Sequence, residues 1–308
     1  MSRLNVVGFT VLIWLLAACQ PSPREEPSSN RPLSVVTTTG LIADAVKNIG
    51  GDSLQVQALM GPGVDPHLYK ATQGDLKKLT QADVILYNGL LLEGKMGEVL
   101  EKLSRIQPVI AVGEAVDQSK LLGSPLYENA FDPHIWFDVT LWKAAVGEVG
   151  RTLQQYDSAR ASFYEKNMQA YQRQLDSLHQ EVLEEIGKIP NEQRVLITAH
   201  DAFEYFGRAY SIEVRGLQGL STLSEFGLKD ITDLVQFIID RNIKAVFVET
   251  SISERSIKAV VEGCRKKGHQ VVIGGSLYSD AMGQAGTPEG TYLGMVRANV
   301  QTITEALK

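Results

Sequence analysis

Short apolar runs recur along the chain, each followed by a stretch in which apolar residues return every three or four positions. LSVVTTT (33–39) leads into LIADAVKNIG (41–50), DVILYNG (83–89) into LLEGKMGEVLEKLS (91–104), and PVIAVGE (108–114) follows. A continuous apolar run suits a strand buried on both faces, and the three-to-four spacing suits a helix lying on it. Strand and helix in alternation predict a parallel sheet covered by helices on both faces. The same grammar returns after Pro190, where RVLITAH (194–200), IKAVFVET (243–250) and HQVVIGG (269–275) are separated by helical patterns over 224–241 and 253–267. A second α/β lobe is expected there.

A different pattern lies between them. From about Asp157 to Gly187, Met168, Tyr171, Leu175, Leu178, Val182 and Ile186 form one apolar stripe among Lys, Gln, Asp and Glu, with no Pro and no Gly before Gly187. About thirty residues at 1.5 Å each give a helix of roughly 45 Å, long enough to cross a two-lobed molecule. The expected fold class is therefore α/β, with two parallel-sheet lobes joined by one long rigid helix. The expected divisions are an N-terminal lobe at 34–156, a connecting helix at 157–187 and a C-terminal lobe at 188–308. Lobes joined by a single stiff helix should hinge little.

The first residues break this grammar. MSRLNVVGFTVLIWLLAACQ has one basic residue, Arg3, then an apolar run that ends in small residues at Cys19. That reads as a secretory signal peptide over 1–19, too short for a typical membrane span. Leu16-Ala17-Ala18-Cys19 is similar to a bacterial lipobox, so Cys19 is expected to carry the lipid anchor of an extracytoplasmic protein. Residues 20–33, QPSPREEPSSNRPL, have little to bury and should form a flexible tether. Cys264 is then the remaining cysteine, so no internal disulfide is expected. With a net charge of -6 and no basic run, nucleic acid is not an expected partner. A monomer is expected.

Chemistry enters with a repeated tripeptide. The chain holds 5 His and 11 Pro in 308 residues, yet Asp-Pro-His occurs twice, in GPGVDPHLYKAT (61–72) and in FDPHIWFDV (131–139). Proline fixes its own φ and holds the preceding residue extended, so each turn presents its histidine rigidly, as a metal ligand requires. A third candidate, His200, closes the strand-like RVLITAH where open α/β sheets bind ligands. His67 and His134 belong to the first lobe and His200 to the second, so the three can meet only in the cleft between them. His179 and His269 read as solvent-facing. A fourth donor is expected from the second lobe, where SLYSDAMG (276–283) offers Asp280, although spacing also allows other acids such as Asp201 and Glu249.

From about Ser34 onward the chain resembles the metal-binding solute-binding lipoproteins of bacterial ABC transporters for zinc and manganese. The resemblance rests on Asp-Pro-His at 65–67 and 132–134, His200 after Leu-Ile-Thr-Ala, Asp280 in Leu-Tyr-Ser-Asp-Ala, the lipobox and the long helix. It implies that His67, His134, His200 and Asp280 hold one divalent ion, Zn(II) or Mn(II), for delivery to a membrane permease and its ATPase. It implies a binding protein, not an enzyme. Two departures stand out: LLGSPLYENA (121–130) lacks the histidines many zinc-specific members carry before the second motif, and His200 stands where many manganese-specific members have Glu. A zinc hydrolase is the rival reading, but no His-Glu-x-x-His pattern occurs. Surface adhesion is a third, without direct support in the sequence.

Overall fold

The computed structural model describes residues 31–124 and 130–308. The expected signal peptide with Cys19, and the tether up to residue 30, lie outside the described residues. From Pro32 to Lys308 the chain forms one compact body.

In the first half, β1 (Leu33–Thr37), α1 (Gly40–Gly50), β2 (Leu54–Ala58), α2 (Gln73–Gln81), β3 (Val84–Tyr87), α3 (Gly97–Ser104) and β4 (Val109–Ala111) follow in turn. The four strands form a parallel sheet in the order β2-β1-β3-β4, with Val35 of β1 opposite Val56 on one side and Val84 on the other. The chain turns to opposite sides after β1, so the carboxyl ends of β1 and β3 bound a crevice. Sequence reasoning overlooked β2 because LQVQA alternates apolar with polar residues at a sheet edge, without the continuous apolar run of its neighbours.

Then come α4 (Val139–Tyr156) and α5 (Ala161–Gly187), the long helix. Its 27 residues span about 40 Å. The helix begins at Ala161 because Asp157 ends α4 and a tight 3₁₀ turn, Ser158–Arg160, redirects the chain. Its stripe of Tyr164, Tyr171, Leu175, Leu178, Val182 and Ile186 is buried against α1, α4 and the last helix.

The second half contains β5 (Val195–His200), α6 (Glu204–Tyr210), β6 (Glu213–Gln218), α7 (Leu228–Asp240), β7 (Ala245–Glu249), α8 (Arg255–Lys266), β8 (Val272–Leu277) and α9 (Tyr292–Leu307). Strand β5 pairs with β6 and β7 with β8, all parallel. Strand β6, EVRGLQ, is the second one missed: it has no apolar run. One buried core runs without interruption from Leu33, Val35 and Ile42 through Tyr171 and Leu178 to Phe247, Leu277 and Ile303. A wide rotation of the halves would open this shared core to water, which favours small local movements over hinging.

Candidate metal centre

His67 and His134 lie in loops that follow strands, and His200 is the residue that ends one. Leu59 and Met60 continue β2 by hydrogen bonding to Thr37 O and Thr38 O, and the chain then loops through Asp65-Pro66-His67 to Thr72. There a reciprocal cap between Thr72 and Asp75 starts α2. In both Asp-Pro-His turns the aspartate folds back on the histidine: Asp65 Oδ1 accepts from His67 N at 2.8 Å, and Asp132 Oδ1 from His134 N at 2.9 Å. Asp132 Oδ1 also lies 2.6 Å from His134 Nδ1. This holds the ring with Nε2 free to face inward.

His200 is the last residue of β5, held by a strand two positions along in the chain. Glu249, at the end of β7, accepts from His200 N through Oε1 (2.9 Å) and pairs with Nδ1 through Oε2 (2.6 Å). The turn after His200 is so close to β6 that a Cβ at Gly216 would stand 2.6 Å from Asp201 N, so this strand position tolerates only glycine. Asp280 lies in the loop after β8, beside Ser279, whose carbonyl accepts from Trp136 Nε1 at 3.0 Å.

These four side chains converge. One donor atom from each of His67, His134, His200 and Asp280 lies within 4.8 Å of the others. His67 Nε2 is 3.3 Å from His134 Nε2, and the Asp280 oxygens are 3.4 Å from His200 Nε2, 3.6 Å from His134 Nε2 and 3.8 Å from His67 Nε2. A tetrahedral cation with bonds of about 2.1 Å sets its donors about 3.4 Å apart. All four residues are buried, His67 and Asp280 at 2% exposure. Both Asp280 oxygens and His200 Nε2 are buried without a hydrogen-bond partner. Lone pairs turned inward with no donor to meet them are costly unless a cation gathers them.

The electrostatics agree. Burial pushes His67 down to about 3, against the opposing pull of Asp280, so its imidazole is neutral and free to donate a lone pair. Burial would raise Asp280, but His200 first, then His67 and His134, outweigh it and hold the carboxyl well below the usual range. Burial likewise opposes charge on His200, yet Glu249 and Asp280 prevail and raise its pKa. A proton there is what an entering cation would replace.

Other acids allowed by spacing are elsewhere. Glu249 orients His200 with both of its oxygens, and Asp201 is paired with Glu204. His179 and His269 are not the solvent-facing residues their neighbours suggested. Both are half-buried, with His179 Nδ1 3.2 Å from Tyr210 OH and His269 Nε2 2.8 Å from Ile243 O. Sequence reasoning also missed the support behind His134. Buried Glu93 accepts from Thr38 Oγ1 (2.7 Å), Asn88 N (2.7 Å) and Gly89 N (3.2 Å), while Asn88 Nδ2 donates to Pro133 O at 3.1 Å. The signal was present as an acid inside an apolar pattern, LLEGKM, where a charge needs partners.

Comparison with known proteins gives a consistent answer. The family described as ZnuA, zinc-uptake complex component A periplasmic, matches residues 35–306. The chain is 54% identical over 282 residues to the manganese-binding lipoprotein MntA of Bacillus subtilis, covering 91% of this chain and 92% of that one. It is 50% identical over 284 residues to the zinc-binding protein TroA of Treponema pallidum, covering 92% and 91%. The solved structure of that periplasmic protein superimposes with a TM-score of 0.87 over 90% of this chain and 99% of its own. An Fe(III)-bound YtgA from Chlamydia trachomatis, 27% identical, does so at 0.81 over 89% and 98%.

Proposed function

We propose that this chain, which belongs to the ZnuA family of periplasmic zinc-uptake components, captures one divalent transition-metal ion through His67, His134, His200 and Asp280. Its role is that of the substrate-binding component of an ABC transporter, and the ion is its cargo. The permease and the ATPase behind it are the partners that follow from this role. The observation that carries the reading is the inward convergence of four buried donors, with His200 Nε2 and both Asp280 oxygens left without a hydrogen-bond partner.

Three imidazoles and a carboxylate form a borderline nitrogen and oxygen set, poor for magnesium and calcium and good for zinc, manganese or iron(II). Affinity rises along the first-row series, so Zn(II) should bind more tightly than Mn(II) whichever ion the cell transports. The relatives do not separate the two, since one is named for manganese and the other for zinc at nearly the same identity. Four protein donors leave no open position of the kind a catalytic zinc keeps for water, which supports a carrier over a hydrolase.

Among the described residues no helix is long and apolar enough to cross a membrane. Relatives are named as lipoproteins, which supports Cys19 as the acylated residue and 20–33 as the tether. The lobes at 34–156 and 188–308, with the helix 157–187 between them, are the units proposed to frame the cleft. The protein should act as a monomer.

The test is metal analysis of protein purified without added metal, then competitive titration of Zn(II) against Mn(II). One equivalent is expected in the wild type and loss of it in His134→Ala and His200→Ala; retention by both variants would overturn the assignment. Cys19→Ala should release the protein from the membrane fraction.

A further inference from the structure

The two Asp-Pro-His turns look equivalent in sequence but are wired differently. Asp132 directs Oδ1 at both the backbone N and the ring Nδ1 of His134. Asp65 holds only the backbone N of His67 through Oδ1, and its other oxygen, Oδ2, accepts from Thr222 Oγ1 of the opposite lobe at 2.6 Å. The His134 side of the cleft is pinned many times over. Tyr205 OH donates to Asp132 O (2.9 Å), Tyr292 OH to Trp136 O (2.7 Å), and Trp136 Nε1 to Ser279 O (3.0 Å).

Thr222 belongs to the segment between β6 and α7. Gln218 Nε2 folds this segment by donating to Thr222 O and Ser224 O at 2.6 and 2.5 Å. Beside it, a cavity of about 240 Å³ reaches His67, with Leu91 and Phe131 on one side and Leu220 and Leu223 on the other. A second cavity, of about 330 Å³, reaches Asp280 between Gly61, Pro62 and Val64 and the loop after β8, but it is the cavity at His67 that is bordered by the segment carrying Thr222.

We propose that Thr222 is a positioning residue that latches the 219–227 segment onto the first Asp-Pro-His turn, so that the metal enters and leaves past His67 at a rate set by this hydrogen bond. The inference rests on the divalent-metal reading above. A hydroxyl donating to a carboxylate is a strong bond of its kind, and among the described hydrogen bonds it is the one that joins the segment's side chains to the turn that carries a ligand. Breaking it frees His67 to swing out while His134, His200 and Asp280 stay in place.

Zn(II) release from the loaded full chain into excess fluorescent chelator tests this. Thr222→Val should release zinc about tenfold faster than wild type while still binding one equivalent, and Thr222→Ser, which restores the hydroxyl, should return the rate to near wild type. An unchanged rate in Thr222→Val, or an equal acceleration in Thr222→Ser, overturns the latch. Hydrogen exchange on wild-type protein supplies a check that needs no variant. Zinc should slow exchange over 63–68 and 219–226 far more than over 133–138, and equal protection of both turns would also overturn the proposal. If the wild type binds no zinc, it is the metal-binding reading that fails.

Discussion

Replacing Glu249 with glutamine tests how the third imidazole is aimed. The wild-type carboxylate accepts from two donors of one residue, His200 N at 2.9 Å and Nδ1 at 2.6 Å, and both side chains are fully shielded. Glutamine keeps the shape but offers only one accepting atom. Whichever way the amide turns, its NH₂ meets either the His200 backbone N–H or the ring. If it meets the ring, Nδ1 must become the acceptor and the proton moves to Nε2, the atom that faces Asp280. That is the wrong tautomer for coordination. Loss of such an orienting partner lowers metal affinity about 10- to 100-fold, equivalent to about 1.4–2.8 kcal/mol. Glu249 also helps to raise the pKa of His200, so removing it relieves competition from protons. A dication in the same place gains about twice what a proton does from the same carboxylate, so the loss prevails. The assay is competitive titration against a chelating indicator at neutral pH, with Zn(II) and with Mn(II). Wild-type affinity for both metals in Glu249→Gln, while His200→Ala abolishes binding, would refute the argument.

Three further outcomes follow from the same geometry. Glu93→Ala leaves Thr38 Oγ1, Asn88 N and Gly89 N buried without their acceptor, so urea unfolding should show a loss of at least about 3 kcal/mol. Gly216→Val drives a side chain into the backbone of Asp201, 2.6 Å from where its Cβ would stand. A loss of about 1–3 kcal/mol in thermal unfolding is expected, together with weaker zinc binding as His200 is displaced; a variant normal in both would refute the packing argument. Burial, then the neighbouring Asp201, pushes Glu204 up to about 7, so the folded protein holds a proton that the unfolded chain has released, and this contribution is lost as pH rises from the ordinary glutamate range through 7. Glu204→Gln should therefore match wild type near pH 5 and exceed it at pH 8 by about 1 kcal/mol after allowance for its partial exposure, or about 2–4 °C in melting temperature.

Much of this molecule was legible along the chain, because the features concerned are local. Apolar runs such as VILY and VLITAH mark strands buried on both faces, and the stripe from Tyr171 to Ile186 marks a helix with one wet side. Proline makes both Asp-Pro-His turns rigid wherever they lie. Elements whose burial is settled by neighbours were harder to read: LQVQA and EVRGLQ become strands because adjacent strands complete their hydrogen bonds. The fourth donor illustrates the limit. Resemblance singles out Asp280, while spacing alone also allows Asp201 and Glu249; by geometry the three separate because β5 and β7 end side by side. That brings Glu249 behind the ring of His200 and leaves the loop after β8 to carry Asp280 to its front. The two identical tripeptides likewise diverge only where Thr222 reaches Asp65. Backbone stiffness and hydrophobic periodicity act over a few residues and are written in the local order of side chains, whereas a distance of 3–4 Å between donors over two hundred positions apart depends on how whole elements pack.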